Sequence, residues 1–354
     1  MSKKRKDKIE YIDIWKFKSK NFPFQIFIGG RGTGKTYSAL TGALGAGRPS
    51  ELDPGKRFIW MRTKDTQVQK MAGSDALKKI NNNSGRLFTL APAKEDSFGF
   101  YEGAQDPEGR ILPQGDLLGY CFSLTSVANV RGLDYSDVSD WFWDEFIRET
   151  NERRTIKDEA VAMLNAYETF NRNREFEGED PIRLWMLANS NDIYNDIFKY
   201  LRIVSDVEKM IRKGRSDLYL PERALAIHLL KTPESFLKAK QETAIAKLTR
   251  GTDFYDMAYE NKFAFNDFSL IAYRNLRGLR PVCHISGGAY FYQGNKEIYV
   301  TYAKARCEGF DTRTPQERRR FMQEIGLQLV PYFTAGRLIF ESYELKAIVL
   351  DLIL

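Results

Sequence analysis

The sequence predicts an α/β fold dominated by a parallel-rich sheet, and two observations predict it. From residue 24 to about 190, short apolar runs alternate with helix-compatible stretches, and FQIFI, RFIWMR, GYCFSL, DWFWDEF and IRLWMLAN read as strands. Such alternation favours parallel strands with helices on both faces, and ligands then bind at the carboxyl ends of the strands. The second observation lies at one such end, where the glycine-rich GGRGTGKT separates FQIFI from the helix-compatible TYSALTGAL.

In chain order, the loop after the first strand fits G-x-x-x-x-G-K-[ST] at every defined position: Gly29, Gly30, Arg31, Gly32, Thr33, Gly34, Lys35 and Thr36. Glycines let the backbone curl so that successive N–H groups face phosphate oxygens at a helix N-terminus. Lys35 is expected on the β/γ oxygens and the Thr36 hydroxyl on Mg²⁺, so ATP and Mg²⁺ are the expected ligands. The second strand, RFIWMR, precedes residues 81–119, which are rich in Gly, Pro, Asn and Asp and hold the alternating pieces RLFTL and SFGFYEG. They read as a β-hairpin excursion, either a surface decoration or a contact surface.

The strand DWFWDEF ends in Asp144 and Glu145. Hydrolysis needs carboxylates at a strand tip, Asp144 to hold Mg²⁺ through water and Glu145 to polarise the attacking water. The other reading is an edge strand with two solvated acids. Phosphate loop and acids together, with room between them for an intervening strand, form the pattern of an additional-strand, catalytic-glutamate P-loop NTPase.

A helix-compatible stretch then leads to FNRNRE, which offers Arg172 and Arg174. If that stretch is a helix, both arginines lie on the far side of the domain and would serve a neighbouring subunit's nucleotide. Surface pairs with Glu175 and Glu177 are the alternative. Asn189 ends the next strand, as a partner of the lytic water or γ-phosphate or as a turn residue.

Residues 193–250 carry helix-like spacing in DIFKYLRIVSDVEKMIRK and TPESFLKAKQETAIAKL, and from 263 the β-rich pieces RPVCHIS, GAYFYQ and EIYVTYAKA precede two helical stretches. The expected division is a basic tail over 1–20, an ATPase domain over 21–192, a helical linker or lid over 193–255 and a second α/β domain over 256–354.

The 354 residues allow two domains, and 54 Lys and Arg against 47 Asp and Glu give +7, which tolerates a nucleic-acid partner without demanding one. No run approaches the roughly 18 apolar residues of a membrane span, and the basic start MSKKRKDK has no apolar signal region behind it. A soluble cytoplasmic protein with no membrane partner is expected, its first residues a solvated tail. Cys121, Cys283 and Cys307 form no C-x-x-C pair, and His228 and His284 complete no zinc-ligand pattern. Reduced thiols fit an intracellular protein.

GGRGTGKTYSAL, the S-x-A-N-V-R-G segment at Ser126 to Gly132, WFWDEFIRE, NRNRE and LANSN occur in an order that resembles the genome-packaging ATPases of small tailed phages, the phi-twenty-nine type, relatives of terminase large subunits. The resemblance implies a ring of five subunits at the portal vertex of an empty capsid, in the cytoplasm of the infected host, pumping double-stranded DNA inward with ATP. It implies a trans-acting finger, Arg172 in preference to Arg174. For Arg131 it implies a second trans-acting group or a link between nucleotide state and DNA grip, with a pair to Asp134 or Asp137 as the alternative.

A pump indifferent to sequence grips phosphates through Lys and Arg on channel-facing loops. The stretch from Lys56 to Lys94 is dense in both, and similarity points to Arg62 and Lys64 as channel residues. Terminases carry a C-terminal RNase H-like nuclease whose first strand supplies a metal-binding aspartate. Here the candidate strand FSLIAYR has no carboxylate, and Glu297 and Asp311 are scattered acids. A nuclease-like fold without nuclease activity is expected, docking to the portal or, in some relatives, to a structural RNA. A helicase or other DNA pump would share the carboxylates and the trans arginine, and a small-molecule kinase would need only the phosphate loop.

Overall fold

The computed structural model describes residues 10–74, 76–93, 97–130, 134–148, 154–190, 192–252, 255 and 267–354. β1 (Phe24–Gly29) leads into α1 (Lys35–Leu44), and β2 (Arg57–Arg62) into α2 (Asp65–Ala72) and α3 (Lys78–Ser84). β3 (Phe88–Pro92), β4 (Phe98–Gln105) and β5 (Ile111–Ser123) are followed by β6 (Val138–Asp144), α4 (Glu159–Asn171) and β7 (Arg183–Asn189). Next come α5 (Asp196–Leu201), α6 (Val204–Arg212), β8 (Asp217–Leu220), β9 (Leu225–Leu230), α7 (Glu234–Gln241) and α8 (Ala244–Thr249). The last part holds β10 (Arg280–Ile285), β11 (Ala289–Gln293), β12 (Ile298–Thr301), β13 (Glu308–Phe310), α9 (Pro315–Phe321), α10 (Leu327–Thr334), β14 (Leu338–Phe340) and α11 (Tyr343–Ile353).

The chain divides into a larger unit, residues 1–192 with 214–265, and a smaller one, 193–213 with 266–354. In the larger unit nine strands form one sheet in the order β3-β4-β5-β2-β6-β7-β1-β9-β8. The pairs β5·β2, β2·β6, β6·β7, β7·β1 and β1·β9 are all parallel. The fold is therefore mixed α/β with a large parallel-rich sheet. Both faces of a parallel sheet are covered, so its central strands are apolar throughout rather than alternating. β6 shows the consequence, because all seven of its residues are buried, Trp141, Phe142 and Trp143 among them.

The excursion over 81–119 supplies the antiparallel β3·β4·β5 edge. Two strands lie where the sequence reads as helical: β8 and β9 occupy 217–230, and β9 pairs with β1 along its whole length. The N-terminal segment packs across α1, with the Trp15 indole donating to the Ser38 carbonyl at 2.9 Å and resting where Gly42 has no side chain.

In the smaller unit, five strands take the order β13-β10-β11-β12-β14. β10, β11 and β12 form an antiparallel meander, extended in parallel by β13 on one edge and β14 on the other. Its core joins Phe291, Phe310, Phe321, Phe340, Leu345 and Val349. α6 belongs here, since the Glu208 carboxylate accepts from the Tyr343 N–H at 2.9 Å and caps the start of α11. Among the described residues, no helix is long and apolar enough to cross a membrane.

Candidate nucleotide-binding and catalytic site

β1 is buried from Gln25 to Gly29, and the loop then turns through Gly32 (φ 77°) and Gly34 (φ 104°), backbone that side chains with a Cβ adopt only under strain. Gly34 is also packed against Tyr11, which would stand 3.0 Å from an added Cβ. α1 starts at Lys35, so the loop feeds directly into a helix N-terminus.

Lys35 is buried in the concavity, and its Nζ donates to the carbonyls of Gly29 (2.8 Å) and Gly30 (2.9 Å) and to Asn189 Oδ1 (3.2 Å). Burial lowers its pKa to about 8, with the Lys240 charge adding to that and Asp144 and Glu145 opposing it. The Thr36 hydroxyl lies 3.0 Å and 3.2 Å from the two Asp144 oxygens. A hydroxyl and a carboxylate converging at a phosphate loop are a hard-oxygen pair of the kind Mg²⁺ takes, so these residues fit that ion. The strand order brings them together, because β7 alone separates β1 from β6, and β1, β7 and β6 end side by side in Gly29, Asn189 and Asp144.

Arg62 enters this cluster in place of facing outward. It ends β2, the other neighbour of β6, and its guanidinium pairs with Asp144 at 2.9 Å and with the Glu145 carboxylate. The two acids hold the Arg62 pKa above its ordinary value although burial opposes them. Glu145 itself has φ 59°, a strained conformation for a non-glycine residue directly after a strand. Lys64 stands two residues on, half-exposed at the start of α2, its N–H donating to Gln67 Oε1 at 3.1 Å. The sequence could not place Arg62 here, because only the strand order, with β2 beside β6, brings its last residue next to those acids.

The cleft, about 250 Å³, is also lined by Tyr11, Tyr37 and Lys79, none of which the motif announces. Lys79 Nζ lies 4.2 Å from the Tyr11 ring centre and 5.2 Å from that of Tyr37. α7 closes one side: Phe236 meets Tyr11 at 5.8 Å, and Lys240 donates to the carbonyl of Arg31 at 2.5 Å. These residues come from elements distant in sequence, which is why spacing could not reveal them.

Arg172 and Arg174 differ in environment. Arg174 is buried and donates to the carbonyls of Val138 and Tyr135, bracketing the turn after α4 to the start of β6. Its guanidinium is committed to these two backbone carbonyls. Arg172 is exposed, in the positive-φ region (φ 47°, ψ −130°) where an arginine is strained. The turn lies at the amino ends of β6 and β7, because Ile182, just before β7, donates to Asn171 Oδ1 at 2.9 Å. The phosphate loop lies at the opposite ends, one strand length away, roughly 20 Å at about 3.3 Å per residue. Arg131 lies outside the described residues.

The chain is similar to known proteins in sequence and in fold. The DNA packaging protein of Bacillus phage phi29 is 24% identical over 265 residues, covering 73% of this chain and 67% of its own. The DNA packaging protein of Bacillus phage B103 is 27% identical over 238 residues, covering 67% of this chain and 63% of its own. A chain of the bacteriophage phi-29 viral genome packaging motor assembly superposes with a TM-score of 0.62 at 19% identity, over 97% of this chain and 98% of that one, a likeness of fold. The family model described as podovirus DNA encapsidation protein (Gp16) matches residues 97–278, just over half of the sequence, from the edge of the large sheet past the acids of β6 to the end of α8 and beyond, and the chain belongs to that family.

Proposed function

We propose that the chain is an ATP-hydrolysing subunit of a five-membered ring that drives double-stranded viral DNA into an empty capsid through its portal. The observation that carries this reading is the convergence of Lys35, Thr36, Asp144, Glu145 and Asn189 at neighbouring strand ends, with Arg172 one strand length away. The loop N–H groups and Lys35 hold the triphosphate, and Arg31 to Thr36 line the cleft that takes it. Thr36 and Asp144 would hold Mg²⁺, whose contribution is to neutralise charge on the phosphate oxygens.

Glu145 is the base that orients water, but its carboxylate rests on Arg62. It must turn from that guanidinium toward the γ-phosphate before it can act, while Asn189 reports on the same position through Lys35. Arg172, too far from its own cleft, supplies positive charge to the transition state of a neighbour, a contribution worth about 10³–10⁵ in turnover where such fingers operate. Arg131 is retained as a second trans-acting candidate. Lys64, at a strand-end loop, is the favoured phosphate contact to DNA, with Arg62 joining it when released from Glu145.

The boundaries at 20, 192 and 255 and the nuclease-like character of the C-terminal part belong to the same proposal. An antiparallel meander with a parallel strand beside its first strand supports an RNase H-like ancestry. Absence of cleavage is supported by Glu297 and Asp311 each being committed to an arginine, Arg274 at 3.1 Å and Arg313 at 2.7 Å. That part then serves docking to the portal or a structural RNA.

The test is steady-state ATP turnover of wild type and Glu145→Gln with double-stranded DNA and portal-bearing empty capsids. Cooperative, stimulated turnover that vanishes in the variant is expected. Mixing Glu145→Gln with Arg172→Ala chains should restore part of it, and turnover indifferent to DNA, capsid and protein concentration would return the chain to a kinase-like or architectural role.

A further inference from the structure

Among the described residues of the larger unit, two large apolar side chains stand out by exposure, Phe176 at 91% and Leu248 at 79%, with Ile245 beside the latter at 48%. A single exposed Leu is unremarkable, but a nearly bare Phe on a rigid turn is a different matter. Phe176 sits in the short 3₁₀ turn Arg174–Glu177, whose backbone is closed by Phe176 N–H to Asn173 O (2.9 Å) and Glu179 N–H to Arg174 O (2.9 Å). The buried Arg174 side chain pins that turn to the body of the sheet. The ring of Phe176 is therefore held outward at no further cost in ordering, which is what an interface anchor requires.

The surroundings of the two patches are opposite in charge. Phe176 is flanked by the exposed acids Glu175, Glu177 and Glu179. Ile245 and Leu248 lie on α8, whose neighbourhood carries Lys238, Lys247 and Arg250 and one acid, Glu242, which pairs with Lys247 at 3.2 Å on the exposed surface and leaves a net positive charge. The two patches also sit at opposite ends of the unit. The acidic turn is at the amino ends of β6 and β7, whereas α8 follows α7, which contacts the phosphate loop at the carboxyl end of β1. Two different, complementary patches at opposite ends of one body make a head-to-tail contact, the kind that generates rings.

We propose that the acidic turn of one chain docks on α8 of a second copy, with Phe176 seated between Ile245 and Leu248 and the three glutamates facing the basic side chains of α7 and α8. This rests on the reading that Arg172 acts on a neighbour, and it deepens that reading by naming what holds the arginine there. Arg172 precedes Phe176 by four residues in the same turn, and α7 touches the loop that binds the triphosphate. Docking of Phe176 thus delivers Arg172 to the side of the cleft that α7 closes. Lys247 and the glutamates give the contact its polarity, since two acidic turns, or two copies of α8, would repel.

The test is interchain cross-linking on portal-bearing empty capsids with DNA and a non-hydrolysable ATP analogue. Glu177→Cys chains and Ala244→Cys chains, both keeping Phe176 and Leu248, are oxidised alone and as a mixture, against the background of the native cysteines in wild type. Cross-linked dimer is expected only in the mixture, with Phe176→Ser lowering assembly roughly tenfold or more, as loss of an aromatic anchor does. Glu177→Lys should weaken assembly, and Lys247→Glu in the same chain should restore it. No excess cross-link in the mixture, together with working complementation between Glu145→Gln and Arg172→Ala, would overturn this interface while leaving the trans arginine standing. Failure of complementation as well would remove both.

Discussion

Asp140 is the most fully enclosed acid of the large sheet, and nothing in the phosphate-loop pattern announces it. Arg183 clamps both its oxygens at 2.8 Å, Trp185 donates to it at 2.8 Å and Ser139 at 2.6 Å. A buried pair contributes little over an apolar substitute, but removing Asp140 leaves the buried Arg183 with only the half-buried Asp53, at 2.9 Å, to offset its charge. Asp140→Ala is expected to cost about 3–5 kcal/mol in chemical denaturation while nucleotide affinity of the folded fraction stays near wild type. Arg62 and Lys64 make a second contrast. Lys64→Ala should weaken DNA binding and reduce the dependence of log affinity on log salt by about one unit of slope. Arg62→Ala should instead change ATP turnover at saturating DNA, because it frees Glu145. The motif residues were legible because phosphate chemistry fixes their spacing. Arg62, Tyr11 and Lys79 were not, because strand order and a folded-back N-terminal segment bring them to the cleft.

At the level of elements, the clearest lesson is β8 and β9. DLYL and LAIHLL are short, and the charged helical stretches on either side masked them. Only pairing with β1 makes LAIHLL a strand, and that partner lies about two hundred residues earlier in the sequence. The hairpin excursion, by contrast, was readable because alternation and turn residues are local signals. His228 on β9 is buried between Phe17 (4.1 Å) and Phe27 (5.0 Å), with Nδ1 2.7 Å from Asp217 on β8. Burial lowers its pKa below the ordinary 6.5, although Asp217 pulls the other way. The unfolded chain therefore takes up a proton at about pH 6.5 that the folded chain refuses until lower pH, and stability falls as pH drops through that window. Melting temperature measured from pH 7.5 to 5 should fall less steeply in His228→Gln. α1 offers another check: Gly42→Ala favours the helix intrinsically, but the new Cβ would lie 2.0 Å from Trp15 Nε1. Overpacking should win, lowering stability by about 1–3 kcal/mol, and Trp15→Leu should lessen the loss.

For the molecule as a whole, the larger unit is built from two separated stretches of chain, since residues 193–213 belong to the smaller unit before β8 and β9 return. A fragment ending at residue 192 would leave one edge of β1 unpaired, an invitation to strand addition from other chains. It is expected to aggregate or melt well below a fragment ending at residue 265, in thermal scans of both. The expected boundary at 192 rests on a change of character in the sequence, whereas contact between distant segments, which no local pattern encodes, assigns each piece to its unit.

If Arg172, one strand length from its own phosphate loop, acts on a neighbour as proposed, a chain that gives its arginine forward and receives one from behind is half of each of two working centres. In a closed circle every centre is complete. In an open arc the chain at one end lacks a donor, so the arc has one competent centre fewer than it has chains, and an isolated chain has none. The last subunit to join then completes two junctions at once, and onset of turnover becomes a report on closure.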